Sequence, residues 1–219
     1  MIVKASYLLP RKGSSNVNLV LAKGPVLNFH HKNGAIVNAA NTLCLGGGGV
    51  DGAISEAGGE TLYQDREKLP MISLGMRCMV GDAVITGPND YGSIGTPYVI
   101  HAVGPNFLEY DYKKYEKPDQ LLSSAYKKAL ERAKEAKLEA VAYSLISAGI
   151  YKGMKTRHDV LKIGMEAIAE YISSDECYDE LTDVYMFGYA QIEIDSLLEI
   201  AEELQFEKAE MADKVEENE

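Results

Sequence analysis

The sequence predicts an α/β protein, a three-layer α/β/α sandwich whose helices cover both faces of a central mixed, mostly parallel sheet. Three observations carry that expectation. Short apolar runs that read as buried strands recur along the chain, among them Ala35-Ile-Val37, Tyr98–Val103 and Ala140–Ile146. Stretches with helical periodicity alternate with them, such as Leu122, Ala125, Ala129, Leu130 and Ala133 on one face. Glycine-bearing polar loops follow two of the runs, at Asn38–Asp51 and Ser147–Tyr151. In such sheets ligands sit beyond the carboxyl ends of strands, so the two loops are expected on one rim.

Taken in order, residues 1–16 mix apolar and basic types without a clear period and read as an extension or an edge strand. Val17–Ala22 alternates as a strand does, and Lys23-Gly24-Pro25 ends it. Val26–His31 suits a short helix or turn before the strand at Gly34–Asn38. Val50–Gly58 reads as a short helix, and Glu60–Lys68 continues with helix formers up to Pro70. A turn at Gly81-Asp82 feeds a strand towards Thr86, and Gly104-Pro105 closes the strand from Tyr98. Asp119 is expected to cap a helix reaching about Lys137. After the strand at Ala140 come a helix over Thr156–Ile172, with Leu161, Met165, Ile168 and Ile172 inward, a last strand at Asp183–Gly188 and a helix over Ile194–Leu204. Residues 1–205 are expected to form one domain, and 206–219 an acidic tail, frayed or disordered.

At 219 residues, 46% apolar and 25% charged, the composition is that of an ordinary globular protein. No run of about 18 apolar residues suggests a membrane span, and the N-terminus lacks the layout of a signal peptide. The net charge of −11 is concentrated: from Glu193 onward eleven acids meet two lysines, leaving 22 acids against 20 bases before it. No basic patch of the nucleic-acid-binding kind stands out, so no nucleic-acid partner is expected. Cys44, Cys78 and Cys177 are odd in number and widely spaced, which fits reduced thiols in a cytoplasmic setting. They form no ligand cluster with the four histidines, so neither a metal nor a cofactor is expected.

The richest stretch is Asn38-Ala-Ala-Asn41 followed by Gly46-Gly-Gly-Gly49-Val50-Asp51. Glycines let the backbone approach a ligand closely, and the first amides of the following helix are unpaired. That junction suits a phosphate or diphosphate held by backbone N–H groups. A flexible loop with Asp51 as an ordinary N-cap is the plainer reading. Two asparagines before the glycines and an aspartate after them favour a ligand site.

At these residues the chain resembles the macro domain family. The matching pieces are Ile36–Asn41, Gly46–Ile54, Gly81–Thr86, Tyr98–Pro105 and Ser147–Tyr151, in the family's order over roughly 17–205. The Asn41-to-Asp51 spacing is most like the MacroD-type branch, which the resemblance links to removal of ADP-ribose from modified proteins and from O-acetyl-ADP-ribose. It implies Asn41 and Asp51 as catalytic residues, Asn41 on the distal ribose and Asp51 near the anomeric carbon. Gly47, Gly48, Gly49 and Val50 with Ser147, Ala148, Gly149 and Ile150 would grip the two phosphates, and Tyr151 would cover them. Asn38, counted with the ligand-binding residues, is expected to brace the loop from beneath. His101 is read as a core histidine, and Cys44 and Cys78 as packing residues. The partner implied is ADP-ribose or an ADP-ribosylated protein. A non-catalytic reader and an ADP-ribose 1″-phosphate phosphatase are the alternatives; a dinucleotide dehydrogenase is set aside because no Gly-x-Gly-x-x-Gly follows the first strand.

Three departures from the family pattern stand out. Gly24-Pro25 replaces the usual Gly-Asp, whose carboxylate reads the adenine amino group. Ser55 stands where the MacroD-type branch often has histidine. Lys152 follows Tyr151 in place of glycine and is expected to point into water.

Overall fold

The apolar runs form the strands and the periodic stretches the helices in the computed structural model, which describes residues 1–111, 114 and 116–209. Four elements build its first part: β1 (Ile2–Leu9), β2 (Val17–Lys23), β3 (Gly34–Ala39) and α1 (Val50–Lys68). Then come β4 (Ala83–Thr86), β5 (Tyr98–Ala102), α2 (Glu116–Glu135) and β6 (Ala140–Ser144). The last are α3 (Arg157–Ser173), β7 (Asp183–Gly188), α4 (Gln191–Glu203) and β8 (Glu207–Lys208).

One eight-stranded sheet runs in the order β4-β5-β3-β6-β7-β2-β1-β8. The five central strands from β5 to β2 are parallel, and β4, β1 and β8 add antiparallel pairs at the two sides. The sheet is therefore mixed and mostly parallel, as the alternation predicts. Side chains of a strand alternate between faces, and β3 shows the consequence. Ala35 and Val37 join the larger core with Leu122 and Leu130 of α2, Leu161 of α3 and Leu197 of α4. Ile36 faces the other way, into a smaller core with Ile54 and Leu62 of α1. Thus α1 covers one face of the sheet and the other three helices cover the opposite face. Among the described residues no helix is long and apolar enough to cross a membrane.

The structure corrects three expectations. First, β1 lies inside the sheet, not at its edge, because β8 pairs on its outer side at Tyr7↔Lys208. Second, the boundary after 205 cuts through structure: Phe206 packs edge-on against Tyr7 at 6.2 Å, and Ala209 N–H donates to Ser6 O at 2.9 Å. A half-buried aromatic packed against the core holds these residues down where charge alone suggests fraying; residues 210–219 lie outside the described residues. Third, α2 starts at Glu116, so Asp119 sits in its first turn, where Pro118 is tolerated because first-turn amides need no intrahelical acceptor. The helical segments expected at Val50–Gly58 and Glu60–Lys68 are both present and meet at a kink, where Gly59 is non-helical.

Candidate functional site

The carboxyl ends of β3 and β6 lie side by side at the centre of the sheet, paired from Gly34↔Ala140 to Val37↔Tyr143. The loop after β3 leads to α1 on one face, and the loop after β6 leads to α3 on the other. A crevice opens where the two connections part, and it holds a cavity of about 460 Å³. That volume is within the usual range of small-molecule sites, about 300–1,000 Å³.

Ten of the residues singled out from the sequence line this cavity: Asn41, Gly47, Gly48, Gly49, Val50 and Asp51 on one side, and Ser147, Gly149, Ile150 and Tyr151 on the other. The two remaining ones do not. Asn38 is fully enclosed beneath the first loop, because its position in β3 points it towards α1 and not to the rim. Ala148 is buried, its methyl group packed into the larger core.

The first loop is shaped by Asn41 and by its glycines. Asn41 Oδ1 accepts from the amides of Leu43 (3.0 Å) and Cys44 (3.2 Å), and its Nδ2 donates to Gly46 O at 2.9 Å. A carboxamide has two N–H donors, so one N–H of Asn41 remains for the cavity while its oxygen serves the loop. Sequence alone suggests that both ends of that amide are free for ligand. Gly49, at φ 61° and ψ −131°, turns the chain into α1 in a conformation open to glycine. Ala53 N–H is the first to close back, onto Gly49 O at 3.1 Å, so the amides just before it are the unpaired ones of the helix start. Cys44 and Cys78 are buried beneath this loop with Ala40 and Val103. Cys44 Sγ donates to Asn41 O at 3.3 Å, and interaction between the two neighbouring thiols holds the Cys44 pKa down and pushes that of Cys78 up.

In the second loop Ser147 donates through Oγ to Pro105 O at 2.8 Å, tying it to the end of β5. An added Cβ on Gly104 would lie 2.3 Å from that hydroxyl, so glycine is needed there to let the loop seat. Tyr151 is 43% exposed and Ile150 85%, leaving the lip of the cavity open on this side. Lys152 does not point into water: its Nζ donates to Lys155 O at 3.2 Å and folds back over its own loop.

Behind the cavity lies a buried polar cluster. Asp51 is 2% exposed; its Oδ1 accepts from Asn38 Nδ2 at 2.8 Å and faces Arg66 Nη2 at 3.2 Å. Its Oδ2 has no partner among the described residues and lies against Gly47, whose ideal Cβ would be 3.0 Å away. The other N–H of Asn38 points to His101 Nδ1 at 3.3 Å, and His101 Nε2 meets Thr86 Oγ1 at 3.0 Å. Because Asn38 Nδ2 can only donate, His101 Nδ1 is the acceptor and Nε2 carries the proton. Burial, aided by the Arg66 charge, pushes the His101 pKa well below its ordinary 6.5. Asn38 and Arg66 therefore act on Asp51 from behind, and the sequence offers no signal for Arg66.

The neutral His101 has a consequence for stability. Its folded pKa lies below that of the unfolded chain, so below about pH 6.5 the unfolded chain binds a proton that the folded one refuses. The contribution is full above that pH and is lost as the pH falls. The urea midpoint is expected to drop between about pH 7 and about pH 5, and His101→Gln to lessen the drop. An unchanged pH slope in that variant would remove His101 as its source.

Comparison with known proteins bears on this site directly. The profile of the family described as Macro domain matches residues 37–158, a span that contains both loops. A macro domain-containing protein of Vibrio parahaemolyticus is 42% identical over 131 residues, 60% of this chain and 71% of that one. The O-acetyl-ADP-ribose deacetylase 1 of Pantoea vagans is 37% identical over 161 residues, 69% of this chain and 88% of its own. Among solved structures, a mutant Oceanobacillus iheyensis macrodomain with ADPR superposes with a TM-score of 0.74 at 26% identity, covering 92% of this chain and 99% of that one. The Trypanosoma brucei macrodomain in complex with ADP-ribose gives 0.64 at 25%, covering 83% and 68%. Fold, loops and sequence agree: the chain belongs to the macro domain family.

Proposed function

We propose that this protein binds ADP-ribose in the cavity between the two loops and hydrolyses ADP-ribose conjugates, as the MacroD-type branch does. The observation that carries the proposal is the Asp51 carboxylate in the cavity wall: buried and ion-paired on one oxygen, with no hydrogen-bond partner for the other among the described residues. A module that only bound ligand would gain little from it, because enclosing two charges costs more than their attraction returns unless the geometry is used. Asn41 orients the distal ribose, and the loop amides of Gly47–Val50 and Ser147–Ile150 take the diphosphate. Tyr151 covers it from the open side.

Asp51 then accepts a hydrogen bond from the attacking water, aiming it at the ester carbonyl or the anomeric carbon. An ester-linked conjugate suits the site: attack at the anomeric carbon releases a carboxylate, which leaves without a proton, whereas attack at the ester carbonyl releases a ribose hydroxyl, which takes up the proton that Asp51 draws from the water. His101, being neutral and enclosed behind Asn38, supplies none. The names of the Pantoea and Oceanobacillus proteins support the ligand and the ester chemistry. The adenine end is the weaker half. Gly24 N–H donates to Gly188 O at 3.0 Å and sets Gly24-Pro25 beside Tyr189, which is 75% exposed. Without the usual carboxylate, binding forgoes about 1.5–3 kcal/mol, roughly tenfold or more in affinity.

The test is an assay on an ester-linked mono-ADP-ribosylated protein and on O-acetyl-ADP-ribose. Release of ADP-ribose by the wild type, lowered in Asn41→Ala, is the expected result. Binding of ADP-ribose without release would leave a non-catalytic binding module. Calorimetry that finds no ADP-ribose binding at millimolar concentration would overturn both.

A further inference from the structure

Asp51 and Arg66 are fifteen positions apart on α1, about 22 Å along the axis of a straight helix. The two side chains cannot span that. The chain closes the gap by breaking α1 at Gly59, at φ 57° and ψ −153°, a region other residues essentially do not enter. Beyond the break Arg66 returns beneath the first loop and is 1% exposed. Its Nη1 donates to Ser55 Oγ at 2.7 Å, and that hydroxyl donates to Asp51 O at 2.7 Å. An ideal Cβ on Gly46 would lie 3.2 Å from Ser55 Oγ and 3.8 Å from Arg66 Nη1, so the pair sits directly under the loop. Among the described residues the polar contacts of the carboxylate fall on Oδ1, from Arg66 and from Asn38, and Oδ2 has no hydrogen-bond partner. The small Ser55, where the MacroD-type branch often has histidine, leaves room for the guanidinium.

We infer that Arg66 is a positioning residue: by holding Oδ1 of Asp51 from behind, it fixes the side-chain rotation that turns Oδ2 towards the bound ligand. The Gly59 kink delivers it there. Among the described residues no other ionisable neighbour does this. His101 on β5 is neutral and reaches only Asn38 and Thr86, Cys44 in the loop bonds to the backbone, and Tyr91, before β5, turns its hydroxyl to Asp65. The inference rests on the hydrolase reading above and deepens it.

The experiment measures steady-state release of ADP-ribose from an ester-linked mono-ADP-ribosylated protein by wild type, Arg66→Lys and Arg66→Met, with ADP-ribose affinity by calorimetry and fold by circular dichroism. Arg66→Met is expected to lower kcat at least about tenfold with KM and ADP-ribose Kd within about threefold, the pattern of a group that acts in the transition state. Arg66→Lys, which restores a cation at Oδ1, is expected to recover a large part of kcat. A folded Arg66→Met with wild-type kcat overturns the inference, as does an equal loss of kcat and affinity that lysine does not relieve. If Arg66→Met fails to fold, Arg66→Lys decides: reduced kcat at wild-type KM supports positioning, and wild-type kcat overturns it. If the wild type binds ADP-ribose but releases nothing, the hydrolase reading falls alone. The positioning role is then read from the carboxyl ¹³C resonance of Asp51, assigned by its loss in Asp51→Asn. Its displacement in Arg66→Lys upholds the contact, and an unmoved resonance refutes it.

Discussion

Asp51→Asn is expected to slow ADP-ribose release by about a hundredfold or more, the scale of losing a positioned carboxylate that steers a proton. Asparagine keeps the shape and the acceptor at Oδ1, so the hydrogen bond from Asn38 at 2.8 Å survives. What disappears is the negative charge, and with it the ability of the second oxygen to take a water proton. ADP-ribose affinity is expected to change far less, because loop amides carry the diphosphate. The substitution also leaves the Arg66 cation enclosed without its anion 3.2 Å away. Breaking a buried pair costs about 3–5 kcal/mol, so a lower melting temperature is expected alongside. Activity and melting are therefore measured on the same preparation, well below the midpoint. Release at the wild-type rate by the folded variant would sink the role assigned to Asp51.

The second large effect is on binding. Gly47 lies between Asn41 and Asp51, and a Cβ there would be 3.2 Å from Asn41 Nδ2 and 3.0 Å from Asp51 Oδ2. Gly47→Val puts two further methyl groups into a wall of the cavity, where neither polar atom can retreat. Asn41 is pinned by three backbone bonds, and Asp51 by Asn38 and Arg66. We expect ADP-ribose affinity to fall about a hundredfold, which corresponds to roughly 2.7 kcal/mol. Backbone strain adds nothing, since no positive φ is required of this glycine, but the crowding is expected to lower stability by about 1–3 kcal/mol, so binding is measured on the folded variant. Calorimetry with ADP-ribose decides it: an affinity within about threefold of wild type would place the ligand elsewhere.

Much of the fold can be read along the chain because its signals are local. Ala35-Ile-Val37 and Val141-Ala-Tyr143 are apolar over consecutive positions, and a parallel strand buried on both faces needs that and little else. The cap of α3 is equally local, with Thr156 Oγ1 accepting from Asp159 N–H at 3.0 Å. The polar C-terminal segment misleads for the converse reason. Composition counts its charges, whereas Phe206 stays ordered through a contact with Tyr7, at the far end of the chain in sequence. The start of α2 is misplaced by sequence because Asp119 reads as a cap, although the helix begins at Glu116 and Pro118 in its first turn removes no bond.

The same division runs through the site. Sequence by itself determined the cavity wall: two glycine loops after two buried strands, with Asn41, Asp51 and Tyr151 at set distances along them. Such loops project from the carboxyl edge of a parallel sheet whatever the rest of the chain does. Only the tertiary structure decided what stands behind that wall. Asn38 turned inward to Asp51 because strand alternation points it at α1, and His101 met Asn38 because β3 and β5 pair Asn38↔His101 in register. Arg66 reached Asp51 because α1 bends at Gly59. A run of helix formers with two glycines in it shows where a helix can break. The direction of the second half is set by packing, through Leu62 against Ile54 and the sheet in the smaller core. Contacts fixed by periodicity are legible in one dimension; a buried ion pair made across a kink exists only once the chain has folded.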